Sequence, residues 1–198
     1  MLQEKGTLRS KEAVSEGIPR ITLTRLERSG LITRIGRGLY TLPDADVSEH
    51  HTLAEACKRL PHGIICLLSA LEFYGLTTQA PFEVWMAIDR KARKPKVDYP
   101  PLRIVRFSGP ALRAGLEHHE IEGVTVPVTS PPRTVADCFR YRNKIGINVA
   151  IEALHDYRRL RKGTLDELWA AAEVSRVRTI IRPYLEAICS GEECNPLR

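Results

Sequence analysis

Residues 17–40 read GIPRITLTRLERSGLITRIGRGLY, and the hydrophobic rhythm of this stretch changes at Gly30. Leu23 and Leu26, with Gly30 and Leu31 closing the pattern, fall on one helical face, so the sequence predicts a short amphipathic helix that begins at Pro19. Proline suits the first helical turn, and glycine suits a left-handed position just after a helix. Both ends of the predicted helix therefore carry residues that are typical of helix termini.

After this helix the period switches to two, with Leu31, Thr33 and Ile35 alternating with Ile32 and Arg34. The tripeptide Gly36-Arg37-Gly38 then predicts a turn, and the residues from Leu39 to Leu42 supply a second strand. A β-hairpin is expected to follow the helix directly.

A second helix is expected upstream, where Ser10 can cap a segment that runs to about Glu16 with Ala13 and Val14 facing inward. Gly17-Ile18 makes a tight turn between the two helices. A helix-turn-helix followed by a hairpin is a winged helix, whose second helix enters the DNA major groove. Winged helices usually begin with one more helix, whereas only Met1–Lys5 precede GTLR, so that helix is expected to be short or to start upstream of the given sequence.

The predicted DNA contacts are hydroxyl and guanidinium groups on the outward face of the second helix and on the wing. Hydroxyls can bond to phosphates or bases, and arginine can pair with guanine or bridge phosphates. These residues are Arg20, Thr22, Thr24, Arg25 and Arg28 of the helix, and Arg34 and Arg37 of the wing. Ile21 also points outward, either towards a thymine methyl group or towards a neighbouring helix. The alternative, a solvated basic helix face, is less favoured because the helix-turn-helix and the basic wing accompany it.

The positive charge of the chain is concentrated in this N-terminal part. The net charge is +6, with eight basic residues and four glutamates in residues 1–43. No apolar run approaches the roughly 20 residues that span a bilayer, and no signal peptide is recognised, so we expect a cytoplasmic protein that contacts no membrane. The five cysteines have no C-x-x-C spacing, so we expect them to be reduced thiols. We expect no bound metal and no cofactor.

The remaining sequence predicts an α+β fold, with a winged helix-turn-helix domain at 1–43 and a mixed α+β domain at 47–198 that ends in a helical bundle. A small mixed or antiparallel sheet is expected between about residues 82 and 128. Expected helices include one capped by Ser48 that runs to about Arg59 and one over 67–74. Four more are expected from Ser130 onward, over about 130–142, 147–161, 165–174 and 176–190. Thr164 with Glu167 fits a capping box.

One enzymatic alternative deserves a test, because Asp89 and Lys91 follow an apolar strand as they do in metal-dependent nucleases. Glu72 or Glu83 would then supply a second carboxylate. The segment is rich in turn and loop residues, where such a match arises easily by chance, so we do not expect an enzyme. The adjacent pairs His50-His51 and His118-His119 are expected to be surface histidines.

Five segments together resemble the AbiEi-type antitoxins of bacterial type IV, abortive-infection toxin-antitoxin systems. They are GIPRITLTRLERSGLITRIGRGLYTL, CLLSALEFYGLTTQAPFEVWMAI, DYPPLRIVRFSG, VPVTSPPRTVADCFRYRNKIG and DELW. The resemblance implies a winged helix that binds inverted repeats in its own promoter and represses it. It also implies a C-terminal domain needed for antitoxin activity against a nucleotidyltransferase-like toxin, without a stable complex.

By position, the helix and wing arginines of the family fall on those predicted above to bind DNA. Inverted repeats favour two copies on the DNA, but no coiled-coil seam specifies a dimer, so a monomer and a dimer both remain open. In the C-terminal half, SPPRTVADCFRYR is either a charged functional surface, through Arg133, Arg140 and Arg142, or a structural helix start.

Overall fold

The computed structural model describes residues 7–36, 38–43, 48–97 and 99–192. Its helices are α1 (Ser10–Ser15), α2 (Arg20–Arg28), α3 (His51–Arg59), α4 (Leu67–Tyr74), α5 (Pro131–Arg140), α6 (Arg142–Ile145), α7 (Ile147–Arg159), α8 (Leu165–Val174) and α9 (Arg178–Glu192). Its strands are β1 (Thr7–Arg9), β2 (Thr33–Gly36), β3 (Leu39–Thr41), β4 (Ile64–Ile65), β5 (Val84–Asp89), β6 (Leu102–Phe107), β7 (Leu116–Ile121) and β8 (Val124–Thr129). A 3₁₀ turn spans Gly109–Leu112. The predicted α+β fold is confirmed.

The N-terminal segment is a winged helix-turn-helix, as predicted, with one strand that the sequence did not reveal. Strand β1 pairs antiparallel with β3, and β3 pairs antiparallel with β2, so the sheet order is β1-β3-β2. Beneath this sheet lies a small core of Leu8, Ala13, Leu23, Ile32 and Tyr40. Three residues of β1 are too few to show a period in the sequence.

Two details of the predicted core are wrong. Val14 is exposed, because α1 has only six residues and buries only Ala13. Leu31 is exposed as well, and its neighbour Ile32 is buried instead. The chain reverses direction after α2, and this reversal brings the second of the two apolar residues against the core.

Glycines end α1 and α2 in the same way. Gly17 has φ +82° and Gly30 has φ +71°. Both values lie in the left-handed region, which is unfavourable for residues that carry a side chain. The backbone N–H groups of Ile18 and Leu31 donate to carbonyls five residues back, at 2.8 and 3.0 Å. These bonds satisfy carbonyls at the helix ends, and the one from Ile18 sets the turn between the two helices.

The second sheet has the order β6-β5-β4-β8-β7 and is mixed. Strand β4 pairs antiparallel with β5 and parallel with β8, although it has only two residues. Most of β5 is buried, which fits a central position. Phe82, expected within this strand, lies before it and is exposed. The turn at Glu122-Gly123 has positive φ at both residues and joins β7 to β8 as predicted.

Several helices that follow the winged helix begin or end close to the predicted residues. Helices α4 and α8 have the expected bounds, and the capping box is present, with Glu167 N–H donating to Thr164 Oγ1 at 3.2 Å. The predicted N-cap of α3 is wrong: the cap is His50, whose N–H donates to Ser48 Oγ at 3.0 Å. Ser48 therefore supports the turn before the helix.

The chain divides into two compact units, one of residues 1–62, 95–102 and 118–126, and the other of residues 63–94, 103–117 and 127–198. This grouping extends the first unit beyond the winged helix. The domain boundary between 43 and 47 stays a prediction. Within the described ranges, no helix is both long and apolar enough to cross a membrane.

Candidate nucleic-acid interface

Helix α2 presents one apolar side to its core and a cationic side to solvent. Leu23 is buried, whereas Arg20, Arg25 and Arg28 are exposed. Across the part of the chain that the structure describes, none of these three arginines forms an ion pair. Their charges are available to an outside partner because no carboxylate among the described residues engages them.

The two threonines of α2 are only partly exposed. The Thr24 hydroxyl donates to the carbonyl oxygen of Arg20 at 3.3 Å, one turn back along the helix. Its oxygen lone pairs can still accept a bond, whereas donation to a phosphate would require this bond to break. Ile21 is 68% exposed, and both interpretations of its outward side chain stay predictions.

The wing carries Arg34 on β2, exposed and opposite Tyr40 of β3 in the strand register. Arg37, the predicted residue of the wing tip, lies outside the described residues. At the root of the wing, Ser10 N–H donates to the Gly38 carbonyl at 2.9 Å, and a Cβ at Gly38 would stand 3.0 Å from Ser10 Oγ. The start of α1 and the end of the wing turn are therefore in close contact.

A cationic groove of about 420 Å³ lies beside α2 and was not predicted from the sequence. We call it the Arg9–Arg59 groove, and its lining residues are Arg9, Ser10, Lys11, Arg20, Arg34, Gly38, Tyr40 and Arg59. All of them belong to the first unit. Only Arg20 and Arg34 among its cations were predicted DNA contacts, because the other three come together through folding and not through sequence spacing.

The nuclease alternative finds little support in the geometry. Asp89 ends β5, and its Oδ1 accepts a hydrogen bond of 2.7 Å from the backbone N–H of Lys91, which closes a turn. Glu83, a candidate for the second carboxylate, has its Oε2 3.7 Å from Nη1 of Arg103. Within the described ranges, no three His, Cys, Asp or Glu side chains are placed to share a metal ion.

Arg133 is part of the core and not of a charged surface. Its Nε donates to Asp137 Oδ2 at 2.8 Å, and its Nη atoms donate to the carbonyls of Ala111 and Ala114 at 2.9 and 3.2 Å. Asp137 also accepts a bond of 2.8 Å from Ser175. Burial raises the pKa of Asp137, and Arg133 opposes that rise. Of the two readings of SPPRTVADCFRYR, the structure supports a structural helix start.

The remaining charged residues of that segment also make internal contacts. Arg140 Nη1 donates to the Ser175 carbonyl at 3.3 Å, and Arg142 Nη1 donates to the Phe139 carbonyl at 3.0 Å. The expectation of surface histidines is wrong for His51, which is largely buried with its Nδ1 2.7 Å from Glu122 Oε2. Sequence spacing does not reveal such pairs between distant residues.

The comparison with family models finds a match to the transcriptional regulators of the AbiEi antitoxin family over residues 2–43. These residues include the winged helix-turn-helix described above. The comparison with curated proteins finds no match. Through this N-terminal segment the chain matches the AbiEi antitoxin family of transcriptional regulators, and the recognition made from the sequence motifs is confirmed.

Proposed function

We propose that the protein is a DNA-binding transcriptional autorepressor and the antitoxin of a type IV toxin-antitoxin system, countering a nucleotidyltransferase-like toxin. The observation that carries the proposal is the cationic face of α2, where Arg20, Arg25 and Arg28 are exposed opposite buried Leu23. The family match over residues 2–43 supports the regulatory role. In this proposal the protein acts in the cytoplasm, binds no cofactor and performs no catalysis.

Helix α2 enters the major groove of the promoter DNA in this proposal. Arg25 and Arg28 pair with base edges or phosphates, Arg20 approaches the backbone, and Thr22 and Thr24 accept hydrogen bonds beside them. Each good bidentate pair with a base contributes about 1–3 kcal/mol of discrimination. Arg34 and Arg37 of the wing bind phosphates, and this part of the affinity falls as salt is added.

The proposed operator contains inverted repeats, so two copies of the chain are expected on one site, either as separate monomers or as a dimer. The antitoxin effect is expected to act against the toxin's action without a stable complex. Gel filtration of the antitoxin mixed with the toxin at micromolar concentration checks whether they form a stable complex. Co-elution would contradict it, while growth rescue on co-expression would support the antitoxin role.

The DNA-binding proposal is tested with a duplex that spans the promoter of the protein's own gene. We expect Arg25→Ala and Arg28→Ala to weaken binding at least tenfold each, with little change in thermal unfolding, because both side chains are exposed and lack ion pairs within the described ranges. Arg103→Ala is the matched control, since Arg103 is also exposed but lies in the second unit. Unchanged binding by both α2 variants would overturn the proposal for this helix.

A further inference from the structure

The described residues around the Arg9–Arg59 groove carry fewer carboxylates than the groove carries cations. Five of its lining residues are cationic and none is acidic. Among the described residues, Glu12 accepts a bond of 3.1 Å from the backbone N–H of Arg9, and Glu55 pairs with Arg59 at 2.9 Å. Even with Arg34 left out of the count, Arg9, Lys11, Arg20 and Arg59 exceed these two glutamates, and like charges in a concave site raise the affinity for an anion.

A second, independent observation concerns Arg59 itself. Its Nη2 donates to Glu55, but its Nε is buried and has no hydrogen-bond partner in the part of the chain that the structure describes. A buried donor without a partner is unfavourable, so native proteins seldom leave one without a reason. The atom is enclosed in the free protein, so an acceptor supplied by a ligand would reach it only after the Arg59 side chain turns towards the groove.

Arg9 carries a charge that its surroundings in the free protein disfavour. Burial lowers the pKa of its guanidinium, Glu12 raises it, and the neighbouring Arg59 lowers it again. The free protein therefore holds two arginines close enough to repel each other in a partly desolvated place. Such an arrangement lowers the stability of the free protein and favours a bound anion.

We propose that the Arg9–Arg59 groove receives backbone phosphates of the bound duplex, so that α3 belongs to the DNA interface. This inference rests on the proposed DNA binding and extends it to Arg59, beyond the residues 2–43 of the family match. Arg20 and Arg34 line the groove and also belong to the predicted interface on α2 and the wing. One continuous strand of phosphates can therefore contact both. Once the Arg59 side chain turns towards the groove, a phosphate can supply the acceptor that its Nε lacks, and guanidinium groups bind phosphate in a bidentate manner.

The test uses two variants of the full chain, Arg9→Gln and the double variant Glu55→Gln/Arg59→Gln. The double variant removes the charge of Arg59 from the groove. It also neutralises Glu55, which would otherwise stay buried and charged without its partner. Arg182→Gln is the matched control, because Arg182 also forms an Arg–Glu pair one helical turn apart, at 2.7 Å, but on an exposed face of the second unit.

Binding of the promoter duplex is measured by fluorescence anisotropy over a series of KCl concentrations. For each groove variant we expect the slope of log Kd against log [KCl] to fall by about 0.9, the value for one lost phosphate contact. The preference for the promoter over a scrambled duplex should not change, since phosphate contacts carry no sequence information. The Arg182→Gln protein should keep the wild-type slope.

Thermal unfolding without DNA provides a readout that separates an anion site from a structural role. We expect Arg9→Gln to unfold at the same temperature as the wild type or higher, because the substitution relieves the repulsion from Arg59. A lower unfolding temperature together with an unchanged salt slope would show a structural role and overturn the proposal.

Two other outcomes are distinguishable. Failure of the wild type to bind any duplex contradicts the proposed function itself, whereas wild-type binding with unchanged slopes in both variants contradicts only the groove. Inorganic phosphate or ATP that protects the free protein as strongly as duplex DNA, at equal phosphate concentration, would overturn the assignment to the DNA backbone and indicate a small-molecule site.

Discussion

Arg133 and Asp137 form an ion pair of 2.8 Å one turn apart on α5, with side chains only 2% and 0% exposed. Arg182 and Glu186 form a pair of the same spacing and nearly the same length, 2.7 Å, with side chains 69% and 62% exposed. The two pairs differ in burial and in their further hydrogen bonds, because Arg133 also donates to two backbone carbonyls and Asp137 also accepts from Ser175. Together they allow a buried, hydrogen-bonded ion pair to be compared with an exposed one in the same protein.

We expect Arg133→Met to lower the free energy of unfolding by about 3–5 kcal/mol, because it leaves Asp137 buried without its cation. Arg182→Met should cost less than about 1 kcal/mol, since an exposed pair is solvated and screened. Urea denaturation followed by circular dichroism measures both. The double variant Arg133→Met/Asp137→Leu should recover part of the loss, and equal costs for the two single variants would contradict this account.

Arg176 adopts φ +57° after α8, a left-handed conformation that is unfavourable for any residue with a side chain. Arg176→Gly is therefore expected to raise the free energy of unfolding by about 0.5–1 kcal/mol. Gly75 provides the opposite case: it has φ +67° after α4, and a Cβ there would meet no atom within 4 Å.

Gly75→Ala should thus cost about 1 kcal/mol through the backbone alone. Thermal or urea unfolding of both variants checks the pair of expectations. A stabilised Gly75→Ala protein would show that the positive φ does not persist in solution.

Ile21 is exposed on the face of α2 that is proposed to read the duplex. If its side chain contacts a thymine methyl, replacing that thymine by deoxyuridine should weaken wild-type binding, whereas Ile21→Ala should bind both duplexes equally. Anisotropy titrations with a set of singly substituted promoter duplexes measure this coupling. Equal losses for both proteins at every position would refute the contact, and an Ile21→Ala protein of reduced stability would indicate packing instead.

Three buried cysteines are expected to resist alkylation in the native protein. Burial raises the pKa of Cys57 to about 12 and raises the pKa values of Cys66 and Cys138 well above the ordinary range. The thiolate is the reactive form, so at pH 8 very little of each is available. Iodoacetamide labelling followed by peptide mass spectrometry should modify these residues only after urea is added, and rapid native labelling of Cys57 would contradict the burial of α3.

The sequence predicted the fold well wherever a local signal existed. Helix α8 has Thr164 and Glu167 at its start, and α4 has Gly75 at its end, so both have the predicted bounds. The two strands that sequence reasoning missed, β1 and β4, have three and two residues. Such strands owe their existence to their partners in the sheet and leave no period of their own.

The candidate site was predictable on α2 and less so elsewhere. Outward residues such as Arg25 and Arg28 follow from helical spacing, and the structure places both in solvent. Arg9 and Arg59 are fifty positions apart, and only the tertiary structure brings them to one groove. The role of Arg133 stayed open in the sequence because a charged residue is usually exposed. Nothing in the sequence indicates that Asp137 and two backbone carbonyls will accept its hydrogen bonds in the core.

Strand β4 has a mechanical consequence for the second sheet. Its two residues, Ile64 and Ile65, join the β6-β5 half of the sheet to the β8-β7 half. All tension that passes between the halves through backbone hydrogen bonds must cross this one short strand. If the protein is pulled or threaded into a protease, the sheet is expected to tear first along β4, and each half would leave as an intact pair of strands.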